Sequence, residues 1–238
     1  MTEQLQLDFD KIIKTSNISK KNIDSKRNHL KKFIESGFPN RKQEDWKFLD
    51  ISQIIKKNIK NLSFFNDYSL PNKIDSSIFV DGLEHNNIIF INGRIEIIDF
   101  NYEDQNKVQI SEEIQKKNTF DNENSLIDLN NAFTNKFFKV LVKKNYSLNK
   151  PLIIYHSTNE KIKSKNINLR LDFELEENSS LRLIDFFNDS SDKNFTNILY
   201  NFDLKKNSIL KNYKIDKFRN HNLKYSFNNI EQEANSVS

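Results

Sequence analysis

Four histidines, His29, His85, His156 and His221, are the residues best suited to chemistry in this chain. An imidazole can bind a metal or move a proton near neutral pH. Metal sites use two or more such groups at short helical spacing, or groups converging with carboxylates. These four are isolated in sequence, so each reads as a structural or surface histidine. Asp172 and Glu174 form a carboxylate pair that alternates with Leu171, Phe173 and Leu175, which is the ordinary solvated side of a strand. Some β-helical enzymes cut polysaccharides with clustered carboxylates or a basic residue on one face. No Arg or Asp recurs here at equal repeat positions. The three glycines, Gly37, Gly82 and Gly93, are too few for a P-loop, a dinucleotide fingerprint or a nucleophile elbow. With no cysteine there is neither a disulfide framework nor a thiolate metal site.

Composition narrows the class further. The 238 residues carry a net charge of +4, but only six of the 37 basic residues are arginine, and Lys is interspersed with Asp and Glu. Nucleic-acid grooves favour clustered Lys and Arg interleaved with aromatics, so no nucleic-acid partner is expected. No stretch approaches the roughly 20 consecutive apolar residues of a membrane helix. The opening "MTEQLQLDFDKIIK" lacks a basic region followed by an apolar one, so no secretory signal is read there. The expectation is a cytoplasmic protein with no membrane contact.

The elements that would position any site fall into two spans. Residues 1–86 read as helical or mixed. Ile23, Leu30, Phe33 and Ile34 share one helix face, Gly37 stands where a C-terminal cap belongs, and Pro39 follows as a stop. "DISQIIKKNI" predicts a second short helix capped by Asp50 or Ser52. Residues 87–238 read as β-rich. "IIFINGRIEII" is two strand-like runs around Asn92-Gly93, a hairpin signal. A helical interlude is expected near 111–135, with Leu126, Leu129 and Phe133 on one face. Beyond it, Leu169, Leu171, Phe173 and Leu175 alternate, as do Tyr200, Phe202 and Leu204, and then Leu223, Tyr225 and Phe227. Each run predicts one buried and one solvated face.

Between these runs one phrase recurs: "VKKNYSL", "LEENSSL", "LKKNSIL" and "QEANSVS". The aligned asparagines are Asn145, Asn178, Asn207 and Asn235, at intervals of 33, 29 and 28 residues. Self-similarity at such a period marks stacked-repeat architectures. The triplet "KKN" also occurs at Lys20, Lys56 and Lys116, so the triplet alone is weak; the alternating runs arriving in step with it carry the reading. The pattern permits a β-solenoid or a β-sandwich of hairpins.

"GFPNRKQEDWKFLDISQII", Gly37 to Ile55, resembles the N-terminal signature of the SufD family through Gly37, Pro39, Arg41, Lys42, Glu44, Trp46, Lys47 and Phe48. Asn40 departs from a usual threonine, and Leu49-Asp50 from a frequent Thr-Pro. "FINGRI" at Phe90, "LNNAF" at Leu129 and "KPLIIYH" at Lys150 fall in family order. The resemblance runs from about Ser19 to Ser238. It implies a mainly β fold with an N-terminal α region, a right-handed parallel β-helix incomplete at the C-terminus. It also implies a non-catalytic scaffold subunit of the SUF iron–sulfur cluster assembly complex, pairing with a SufB-like paralogue and a SufC-like ATPase. Family members are longer, so this chain is expected to be an N-terminal fragment whose ATPase-docking segments and cluster-site histidine lie outside it. An iron–sulfur cluster and FAD are implied only for the family complex, with none in this chain. Gly37, Pro39, Arg41, Glu44, Trp46 and Lys47 are expected to form a structural knot between the two spans, with a partner-contact patch as the other reading. A carbohydrate-active β-helix enzyme and a generic β-rich interaction module are the alternatives in function.

Overall fold

A computed structural model describes residues 2–15, 18–60, 62–64, 79–114, 124–134, 136–158, 162–189, 192–217 and 222–238. The chain is mainly β, with a few helices and two sheets of mixed parallel and antiparallel pairing. Helix α1 (Thr2–Thr15) went unread in the sequence, although Leu5, Phe9 and Ile12 have the spacing of one face and all three are buried. Helix α2 (Lys20–Ser36) starts at Ser19, whose side chain accepts from Asn22 N–H. It ends at Gly37, whose φ of 68° suits a residue without Cβ and whose N–H donates to Phe33 C=O. Helix α3 (Ile51–Ile54) is capped by Asp50, which accepts from Gln53 N–H at 2.8 Å, and runs on into a π turn at Ile55–Ile59.

The strands are β1 (Ser63–Phe64), β2 (Asn86–Ile91), β3 (Arg94–Asp99), β4 (Val108–Ile114), β5 (Lys136–Val142), β6 (Leu152–Thr158), β7 (Lys165–Leu175), β8 (Ser180–Asp189), β9 (Phe195–Leu204), β10 (Ile209–Lys217) and β11 (Leu223–Gln232). One sheet has the order β11–β9–β7–β5–β4, with β1 also beside β7; the other has the order β10–β8–β6–β2–β3. From β5 onward successive strands alternate between the sheets. Each of β7 to β11 pairs in parallel with the strand two before it. Among the described residues only β2–β3 and β4–β5 are antiparallel, so these strands do not form two facing layers of hairpins.

The asparagines of the recurring phrase explain the register. Asn145, Asn178, Asn207 and Asn235 have φ of 59°, 57°, 58° and 60°, a left-handed conformation that asparagine tolerates better than most side chains. Each side-chain amide donates to the amide oxygen of the previous asparagine: Asn178 to Asn145 at 2.8 Å, Asn207 to Asn178 at 2.9 Å, Asn235 to Asn207 at 3.3 Å. The backbone runs the opposite way, Asn145 N–H donating to Glu177 C=O, Asn178 N–H to Lys206 C=O and Asn207 N–H to Ala234 C=O. Every turn is therefore tied to its successor by two antiparallel hydrogen bonds.

The Asn92-Gly93 hairpin joins β2 to β3 with φ of 53° and 80°, the two positive angles of a type I′ turn. A Cβ on Gly93 would lie 2.6 Å from Ile167 Cγ2, so this tip packs directly on β7. Residues 111–114, expected at the start of a helical interlude, instead finish β4, because antiparallel pairing with β5 outweighs their polar composition. Residues 115–123 of that interlude lie outside the described residues. Helix α4 (Ser125–Phe133) is buried on all sides, with Leu126, Leu129 and Phe133 packed on Phe9, Phe33 and Phe64. Part of its polar side bonds to the sheet: Asn130 donates to Leu169 C=O and Asn197 C=O, and Asn197 donates back to Leu126 C=O, while the buried Ser125 hydroxyl has no hydrogen-bond partner among the described residues. Lys26 donates to Asn131 C=O at 3.2 Å and also to Thr134 C=O at the C-terminal end of α4. Burial pulls its pKa down to about 7. One apolar cluster thus draws on residues from both sides of position 86.

Because α4 and the N-terminal helices cover the outer face of the first sheet, β9 is buried on both faces. Leu223, Tyr225 and Phe227 lie in register with Phe195, Asn197 and Leu199 on that outer face, so their apolar side is not the one between the sheets.

Two stability measurements follow from this geometry. Asn178→Ala should lower the urea-unfolding stability by about 1–2 kcal/mol through its positive φ and its two ladder bonds, and Asn178→Gly by less, since glycine restores the φ. Gly93→Ala should cost about 2–3 kcal/mol, and Gly93→Asn should fare no better, because the contact with Ile167 persists even where the φ is tolerated.

Candidate functional site

The most concentrated chemistry lies between the two sheets. His156 on β6, Asp185 on β8 and Tyr200 on β9 are all buried, and none is adjacent in sequence. Strand alternation sends these residues inward, and the parallel stacking brings them together. His156 Nε2 lies 2.8 Å from Asp185 Oδ1 and 3.2 Å from the Tyr200 hydroxyl. The imidazole is held flat between Phe90 and Phe187, its register neighbours on β2 and β8, at centroid distances of 5.3 and 5.7 Å. His156 Nδ1 has no hydrogen-bond partner among the described residues. The ring borders a small cavity with Gly93, Thr158, Ile167 and Thr196.

Burial alone would push the Asp185 carboxyl upward. The facing His156, aided by Lys224, outweighs it and holds the pKa at about 2. The Tyr200 hydroxyl goes the other way, well above its ordinary value, through burial and the neighbouring Asp185. The three side chains form a buried polar cluster in which the Asp185 carboxyl faces the imidazole.

Toward β10 and β11 the interior changes character. Register places Lys214 beside Asp185, and its Nζ sits 4.5 Å from the Tyr200 ring centroid. Lys214 donates to Ser226 Oγ and, at 3.0 Å, to Asn228 Oδ1. Lys224 pairs with Asp216 and lies 4.7 Å from the Phe187 ring centroid. The inward positions held by Ile167, Leu169 and Leu171 on β7 become Lys224, Ser226 and Asn228 on β11, while that of Phe173 stays apolar as Ile230.

The remaining sequence candidates are placed as follows. His29 Nδ1 lies 2.6 Å from Asp128 Oδ1, joining α2 to α4. His85 Nε2 lies 2.9 Å from the Tyr155 hydroxyl. His221 lies outside the described residues. Asp172 is held by Arg170, whose Nε is at 2.9 Å, and Glu174 by Lys139 at 2.6 Å. Both carboxylates are half-buried members of ion pairs, not a freely solvated strand face. In the Gly37–Lys47 segment Arg41, Glu44 and Lys47 are exposed, with Lys47 paired to Glu44 at 2.7 Å. Trp46 is half-buried, 6.0 Å from the Tyr225 ring, while Phe48 is 88% exposed. Pro39 C=O accepts from Ser52 N–H, fixing this segment to α3. Among the described residues no group of three or more His, Asp or Glu side chains is arranged to hold a metal.

Sequence reasoning missed the His156–Asp185–Tyr200 group. The available signal was an odd polar residue in each of three apolar strands: His in "LIIYHS", Asp in "LRLIDFF" and Tyr in "NILYNF".

Asp185→Asn should destabilise the fold by on the order of 3 kcal/mol, because it leaves His156 facing a neutral amide in a buried site. The wild-type pH profile carries the matching sign. A depressed carboxyl stabilises the fold above its unfolded pKa of about 3.8, and this contribution is lost as pH falls toward about 2. The Asn variant should lack that segment of the acid-unfolding curve. No family model matches the chain, and no curated protein sequence matches it.

Proposed function

We propose that this chain is a SufD-like, non-catalytic scaffold subunit of an iron–sulfur cluster assembly complex, working by assembly with a SufB-like paralogue and a SufC-like ATPase in the cytoplasm. In this reading the two sheets are the walls of a right-handed parallel β-helix, and α1–α4 are its N-terminal cover. One observation carries the proposal: strands that alternate between two sheets, turn at left-handed asparagines and repeat at 28–33 residues occur in the same chain as "GFPNRKQEDW". A stack of this kind presents long regular edges and a stiff surface, which suits holding partners in place.

Without cysteine, these 238 residues have no thiolate to offer a cluster, so any ligand of that kind would lie outside them. No residue is assigned to FAD. The enzyme reading gains nothing from Asp172 and Glu174, which are engaged by Arg170 and Lys139.

Co-expression with SufB-like and SufC-like proteins of the same genome, followed by size-exclusion chromatography, tests the proposal. A co-eluting complex of fixed stoichiometry is expected. A folded chain that elutes alone beside both partners, or one that turns over uronate polymers, would overturn it.

A further inference from the structure

One ring nitrogen of His156 is accounted for and the other is not. Nε2 lies 2.8 Å from Asp185 Oδ1 and 3.2 Å from the Tyr200 hydroxyl. Asp185 stays ionised far into acid, so the nitrogen facing it is the one that keeps its proton. Phe90 and Phe187 hold the ring between them, and turning it over would take Nε2 away from the carboxylate. The place of Nδ1 is thereby fixed. This second nitrogen is buried and has no hydrogen-bond partner among the described residues. It carries a lone pair in the neutral ring and an N–H in the charged one. Either is costly to bury without a partner.

The cavity that the ring borders has the size and the lining to supply one. It has room for a single water-sized molecule. Phe90, Ile167 and Phe187 give it apolar walls, and Gly93, with no Cβ to collide with Ile167, closes one side. Two residues with hydroxyls complete the lining. Thr158 stands two positions after His156 on β6 and Thr196 four positions before Tyr200 on β9, so strand alternation turns both inward. Both are buried. A buried water needs roughly two to four polar partners, and the imidazole with two hydroxyls meets that need. Water also donates or accepts as the ring requires, which neither a metal cation nor a small anion can do.

We propose that this cavity is a binding site for one ordered water, held by His156 Nδ1 and the hydroxyls of Thr158 and Thr196. The water ties β6 to β9 across the two sheets and completes the partners of the buried imidazole. The site stands or falls apart from the scaffold reading.

The full protein, isotope-labelled for nuclear magnetic resonance, tests this in solution. A cross-peak between the His156 ring Hε1 proton and a long-lived water is expected. A high-resolution crystal structure should show one density peak about 2.7–3.1 Å from Nδ1. Thr196→Val keeps the side-chain shape and removes one hydroxyl, so water residence at the site should fall about fivefold, the loss of one neutral hydrogen bond. Thr158→Val should act in the same direction and supplies the reading where Thr196→Val does not fold. A cavity that is dry in both measurements would overturn the proposal. So would a threonine hydroxyl bonded directly to Nδ1, or water residence unchanged by the valine variants.

Discussion

The asparagine turn is the constraint on which the rest of this structure depends. Each parallel strand must leave one sheet and enter the other at the same height as its predecessor, or every side chain in the next layer changes face. A left-handed residue makes that corner tight, and its amide ties it to the corner below. Ser179 and Ser236 add a hydroxyl bond to the carbonyl three residues back, at 2.7 Å in both cases. Cross-layer ion pairs such as Lys143–Glu176 and Lys205–Glu233 line the same edge, but exposed pairs of this kind contribute little on their own. The repeated corner fixes the register, and the register decides which side chains meet inside.

Polar groups inside the molecule follow from the same logic. Glu103 shows it most clearly. Burial opposes its ionisation, yet it accepts from Asn86, Tyr146 and the N–H groups of Asn149 and Lys150, which together hold its carboxyl below the ordinary range. That carboxylate clamps the segment after β3 to the one before β6. His156 with Asp185, the side-chain N–H groups of Asn130 and Asn197 and the Lys26 amine at the end of α4 likewise reach partners on elements far apart in sequence. An interior made this way is specified by partners as much as by volume.

How much of this was legible in the sequence depended on whether the deciding interaction was local. The Asn92-Gly93 hairpin and the Gly37 and Asp50 ends of helices are short-range signals, and each appears as residue chemistry dictates. Residues 111–114 were misread because their pairing partner, β5, lies across a helix. Alternation in β11 gave a period without a direction. Leu223, Tyr225 and Phe227 are apolar for the sake of Trp46 and the helices outside, not for the space between the sheets. The His156 group was invisible to spacing rules because its members meet only after the layers have stacked. Exposure of Arg41, Glu44 and Lys47 is equally a tertiary fact, since no local rule says which face of a short turn is covered.

The spacing of the repeat also bears on how such a chain reaches its shape. Every strand from β8 onward finds its earlier partner about one repeat back, so these layers need no closure between distant ends. Pairings of modest sequence separation form faster than long-range ones, and synthesis delivers the earlier partner first. Each new layer can settle on a finished template while the following one is still being translated. Winding by accretion from the N-terminal side is then the natural order of events, with the helices around α4 supplying the first surface.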